Sequence, residues 1–131
     1  QTSLTDIIVR TDGPGYNLAI SEDHDLTHTD TVTTIGPVAG SVASPAAWTE
    51  GTTTGLGFTL TAGSQIEGKW GTSPNYDYAA LPTSDATFHS RTGYLGGSAD
   101  TTTLQFRLDV PASQKSGKYS NTVTISATVI P

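Results

Sequence analysis

Leu104-Gln105-Phe106-Arg107-Leu108-Asp109-Val110 alternates apolar and polar side chains, and the pattern returns after a polar loop in Tyr119-Ser120-Asn121-Thr122-Val123-Thr124-Ile125-Ser126-Ala127-Thr128-Val129. Successive side chains of a strand point to opposite faces, so a period of two describes strands with one apolar and one wet face. The connection from Pro111 to Lys118 has the Pro and Gly punctuation of a turn, which makes the pair a hairpin or a sandwich corner. Phe106 belongs to the apolar face and is assigned to the core. Tyr119 enters its strand two residues after Gly117, as in a tyrosine corner, where the ring is buried and the hydroxyl bonds loop backbone.

Outward from this pair the same period recurs. Leu4 to Thr11 is β-branched and ends at the turn Asp12-Gly13-Pro14-Gly15, after which Tyr16, Leu18 and Ile20 alternate with Asn17, Ala19 and Ser21. Strand, turn, strand predicts an N-terminal hairpin. Glu22 to Asp30 reads as an acidic loop, Thr31 to Ile35 as a short strand and Gly36 to Gly55 as a long ordered loop. Leu56, Phe58, Leu60 and Ala62 predict a strand, with Ile66, Gly68 and Trp70 as a partner running back and Trp70 in the core. Gly71 to Ser98 reads as irregular apart from a strand near Thr87 to His89. About seven strands without a helical period predict an all-β, immunoglobulin-like antiparallel sandwich, a single domain over residues 1–131.

Composition narrows the class. Thr is the commonest residue, and charged residues make up only 14 %, against about 25 % in an average domain. Such a surface suits an extracellular β protein. With 6 basic and 12 acidic residues the net charge of −6 repels a phosphate backbone, so nucleic acid is not an expected partner. The chain has no Cys, hence no disulfide framework, thiolate nucleophile or cysteine metal site. No segment is long and apolar enough for a membrane-spanning helix, and membrane insertion is not expected.

Gly15-Tyr16-Asn17-Leu18-Ala19-Ile20, Trp70-Gly71, Tyr76-Asp77-Tyr78 with Pro82, and Gly117-Lys118-Tyr119-Ser120-Asn121-Thr122-Val123-Thr124 follow one another in an order that resembles the WxL-like, immunoglobulin-like modules of bacterial cell-surface proteins. The closing segment is also similar to the last strand of spore-coat-U-type fimbrial subunits. The resemblance spans most of the chain and implies a structural or adhesive role at the cell surface or in an extracellular appendage. Its partners would be other surface domains or copies of the chain, joined by strand addition. Trp48 is followed by Thr49-Glu50 and Trp70 by Gly71-Thr72, so the Trp-x-Leu triplet is absent and attachment to peptidoglycan is not carried over.

Three groups of residues offer chemistry. Asp23, Asp25 and Asp30, interleaved with His24 and His28, are the types that hold Ca²⁺ or a transition metal. The bland alternative is a solvated acidic loop, which the missing calcium-loop Gly and Glu favour. Trp48, Tyr76 and Tyr78 fall in irregular segments, where planar rings stack on sugar faces, so a carbohydrate-binding module is the second functional reading. No Ser lies in a Gly-x-Ser-x-Gly elbow, and His89 beside Ser90 is an adjacent pair and no triad. A non-catalytic role is therefore expected.

Overall fold

A computed structural model describes residues 1–131 and is all-β. The first third holds β1 (Thr2–Arg10), β2 (Gly15–Glu22), β3 (Leu26–His28) and β4 (Thr34–Ile35). The middle holds β5 (Ala46–Ala47), β6 (Gly55–Ala62), a 3-10 turn (Gly68–Trp70), β7 (Gly71–Thr72) and β8 (Asn75–Tyr78). The last third holds β9 (Ala86–Thr92), β10 (Ala99–Asp109), β11 (Tyr119–Ser120) and β12 (Val123–Val129).

The long strands form two antiparallel sheets, β1-β10-β6 and β12-β2-β9. Tyr16 on β2 reaches Asp100 on β10, and the Phe88 ring on β9 meets Phe58 on β6 with centroids 5.7 Å apart. Thus β2 lies over β10 and β9 over β6. The two remaining strands, β1 and β12, face each other along one flank. Between the sheets Tyr16, Leu18, Ile20, Phe58, Leu60, Trp70, Phe88 and Leu104 form one buried cluster, the apolar alternation of β2 supplying every second residue. Short strands add two further groups: β3 pairs with β4 and β11, and β8 pairs with β5 and β7 beside β6, which it meets at the Phe58–Ala79 bridge.

Several sequence expectations need correction. The stretch Gly71 to Ser98, read as irregular apart from Thr87 to His89, holds β7, β8 and β9, which puts Tyr76 and Tyr78 on a strand. The acidic stretch Glu22 to Asp30 contains β3, because short pairings of two to four residues leave no period in the sequence. The first two strands do not pair with each other: the Asp12–Gly15 turn carries the chain from one sheet to the other, so β1 joins β10 and β2 joins β12 and β9. A turn signal states that the chain reverses and not which strand receives it. Ile66 to Trp70 is no strand, because the chain tightens into the 3-10 turn that drops Trp70, fully buried, between the sheets with its Nε1 donating to Phe88 O at 3.3 Å. Phe106 packs against the core but stays half-buried, beside Ser3 and opposite Phe58, near the open end of the sandwich. Of the two readings of the C-terminal pair the corner is the one observed, since β10 and β12 lie in different sheets.

Candidate functional site

The loop from Gly36 to Gly55 crosses the outer face of the β1-β10-β6 sheet. Pro37 bridges Leu56, and Val38 is buried against the sheet. β5 then pairs with β8, Ala46 opposite Tyr78 and Ala47 opposite Asp77, so Trp48 arrives on the face that carries Tyr76 and Tyr78. Room for its indole comes from Gly57, where a Cβ would sit 2.8 Å from Val38 Cγ2 and 3.3 Å from Trp48 Cζ3. The three aromatics picked from the sequence line one notch of about 110 Å³, together with Ala47, Pro74, Asn75, Asp77 and Arg107.

The floor of this notch is locked. Trp48 and Tyr78 meet edge to face at 5.1 Å, and the Arg107 guanidinium lies 4.6 Å from the Trp48 centroid and 5.8 Å from that of Tyr78. Cation–π contact of this kind rewards a ring held flat under the charge. Trp48 Nε1 donates to Asp109 Oδ2 at 3.0 Å, Gln105 Nε2 donates to the Tyr78 hydroxyl at 2.7 Å, and Arg107 pairs with Glu50 and Asp109. The rim differs: the side chains of Asn75, Tyr76 and Asp77 make no hydrogen bond within the chain and stay partly or largely exposed. A rigid aromatic floor bordered by uncommitted side chains, Tyr76 on the floor's own face and Asn75 and Asp77 alternating with it along β8, is the arrangement of a preorganised binding site. Arg107 and Asn75 were not singled out in the sequence. The outward register of Arg107 on β10 was legible, but not that the loop at Trp48 would fold over it.

Asp23, Asp25 and Asp30 do not converge, and no group of three acidic or His side chains is placed to share one ion. Asp30 instead folds its own turn. It accepts from Val32 N at 2.9 Å, Thr33 N at 2.8 Å and the Thr33 hydroxyl at 2.7 Å, and Lys115 Nζ binds it at 2.7 Å. Lys115 first, then these donors, holds its carboxyl well below the usual range. Asp23 is likewise lowered, chiefly by the Thr122 amide. His28 accepts from Asp30 N at its Nδ1, so its Nε2 carries the proton and donates to Ser116 O at 3.0 Å, leaving no lone pair for a metal. Glu22, read as the start of a solvated loop, is the buried last residue of β2. Burial and the neighbouring Asp25 carboxyl push it up to about 7, while Asn121 Nδ2 donates to it at 2.9 Å.

Tyr119 stands half-buried, its hydroxyl donating to Lys115 O at 2.7 Å and accepting from Gln114 Nε2 at 2.8 Å, with its ring 5.1 Å from His28. Gly117, at φ 135°, lets the loop pass where any Cβ would strike the His28 ring. A second polar cluster, not anticipated, lies between the sheets. Tyr16 donates to Asp100 at 2.5 Å, Ser64 donates to Asp100 at 2.9 Å, and His89 Nδ1 meets Glu67 at 2.6 Å. Glu67 and His89 have the form of an acid–base pair, but His89 Nε2 is buried without a partner and the Ser90 hydroxyl is bonded to Asn17.

No protein-family model, curated protein or solved structure matches this chain.

Proposed function

We propose that this domain is a non-catalytic adhesive module of a bacterial cell-surface protein or extracellular appendage, and that the Trp48–Tyr76–Tyr78 notch is where it holds a glycan. The observation that carries this is a notch whose Trp48 and Tyr78 rings are fixed by internal bonds and whose bordering residues Asn75, Tyr76 and Asp77 make no side-chain hydrogen bond. The extracellular setting draws support from the Thr-rich surface, the low charge and the resemblance of the strand motifs.

Chemistry narrows the ligand. Arg107 is matched by Glu50 and Asp109, so Asp77 leaves the notch net negative and disfavours acidic sugars. A carboxylate accepts bonds from two adjacent hydroxyls, an Asn amide both donates and accepts, and Tyr76 offers a ring face to sugar C–H groups. A neutral pyranose meets all three. At about 110 Å³ the notch is small beside typical ligand sites of about 300–1,000 Å³, so it seats one ring.

A glycan array with the intact domain tests this. Binding to a set of glycans ending in a neutral hexose is expected. Tyr76→Ala and Asp77→Asn should abolish that signal without lowering the melting temperature, because neither side chain bonds within the chain. Trp48→Ala and Tyr78→Ala should lose binding and stability together. An array with no specific signal, or Tyr76→Ala binding as the parent does, contradicts the assignment.

A further inference from the structure

Both flank strands keep one edge unpaired, and β1 carries two large exposed apolar side chains, Leu4 and Ile8, against the single Val129 of β12. Leu108 N donates to Gln1 O at 2.9 Å, which makes Gln1 and Leu108 a hydrogen-bonded pair. Such pairs alternate along an antiparallel ladder. Ser3, Thr5, Ile7 and Val9 therefore turn their N–H and C=O groups toward β10, while Thr2, Leu4, Asp6, Ile8 and Arg10 turn theirs to the open side. The second set also carries its side chains on the outer face, where Leu4 and Ile8 are each 63 % exposed. Natural edges are blunted by Pro, bulges, inward charges or charged side chains along the edge. β1 has no Pro, bulge or inward charge over its nine residues, its register with β10 is unbroken, and its only charges are the oppositely signed Asp6 and Arg10.

We propose that β1 pairs antiparallel with β1 of a second copy, about a two-fold axis at Ile8. Only registers that set outward-bonding residues opposite one another can form this ladder, and four centre between Thr5 and Ile8. Centring on Thr5 puts Asp6 against Leu4 and leaves Arg10 unpaired. Centring on Asp6 puts two carboxylates face to face. Centring on Ile7 puts Asp6 against Ile8 and Arg10 against Leu4, leaving every charge on an apolar neighbour. Centring on Ile8 sets Ile8 against Ile8 and Asp6 against Arg10 of the second copy, twice by symmetry. Directly opposed unlike charges and apolar pairs stabilise a ladder, and like charges oppose it. Thr103 Oγ1 donates to Asp6 at 2.8 Å and holds that carboxylate on the outer face beside the edge. β12 offers no comparable selection, because Val123 to Val129 carries no charge. The contact is isologous and closes on itself, joining two three-stranded sheets into one.

The chain has no Cys, so Ile8→Cys and Leu4→Cys each place a single thiol on the exposed face. In the proposed dimer the two residues at position 8 have Cα atoms about 5.5 Å apart. The two at position 4 are separated by eight residue steps along the paired strands, about 27 Å at about 3.4 Å per residue. A short bis-maleimide should cross-link Ile8→Cys at least ten-fold faster than Leu4→Cys. In sedimentation equilibrium the parent should dimerise weakly and Ile8→Pro should be monomeric, since it removes only an outward N–H. Arg10→Asp should weaken the dimer several-fold, and Asp6→Arg combined with Arg10→Asp should restore it. A parent that stays monomeric at millimolar concentration overturns the proposal. So does equal cross-linking at both positions, or a double variant that is not restored. A dimer lost in Ile8→Pro but indifferent to the charge swap means that β1 receives a different strand, and overturns it equally.

Discussion

Glu22 carries the titration with the clearest consequence. Its carboxyl is raised to about 7 by burial and by Asp25, from 4.5. The folded state therefore binds a proton more tightly than the unfolded chain does. The stability this supplies is fully present below about pH 4.5 and is lost as pH rises through about 7. Asp23 and Asp30, both lowered, act the other way: their contribution is full above the ordinary aspartate range and is lost as pH falls below it. Between about pH 5 and 8 the melting temperature is thus expected to fall, and Glu22→Gln should flatten that slope. A parent whose melting temperature rises over this range contradicts the burial of Glu22. At Tyr119 the ring is held by His28 and the hydroxyl by Lys115 O. Tyr119→Phe keeps the first and removes the second, so denaturant unfolding should show a loss of about 1 kcal/mol. An unchanged midpoint would mean that the corner bond contributes nothing.

At the scale of elements, burial sets what each strand and turn is worth. Trp70 is fully enclosed at the tip of the 3-10 turn, and Trp70→Ala should cost about 3–5 kcal/mol or leave the domain unfolded. Phe106 is only half-buried, so Phe106→Ala should cost less, about 2 kcal/mol, because the space it leaves opens to solvent. Calorimetry of the two variants checks the order, and a Phe106 variant worse than the Trp70 one would reverse the assignment. These elements also mark what a sequence displays. The alternation in β2, β6, β10 and β12 was legible because a half-buried strand writes its period of two into the chain. The partner of β1 was not, since pairing joins residues about a hundred positions apart and the Asp12–Gly15 turn reads alike for a hairpin and a corner. Ile66 and Trp70 mimic a strand because both face inward, although the backbone between them is a 3-10 turn. At the notch, Tyr76 and Tyr78 announced a shared face by spacing alone. Trp48 could be joined to them only through the β5–β8 pairing of two residues, too short to signal itself.

Across the whole molecule the notch and the open edge of β1 belong to one sheet: the notch lies on its outer face against Arg107 of the central strand β10, and β1 is its margin. A dimer through β1 would hold two notches on one continuous sheet. Weak single-ring binding would then gain through avidity on a surface that presents many glycans. The central claim, that the notch is the binding site, can be read from the molecule's own two indoles. Trp48 Nε1–H sits in the notch on Asp109, and Trp70 Nε1–H lies in the core on Phe88 O, so one reports and the other controls. In a nitrogen-resolved NMR titration of the isotope-labelled domain with neutral methyl pyranosides, the Trp48 indole signal and the amides of Asn75 to Tyr78 should shift progressively and saturably while the Trp70 indole stays fixed. A Trp48 signal unmoved by every neutral pyranoside tested, or both indoles moving together, would contradict it.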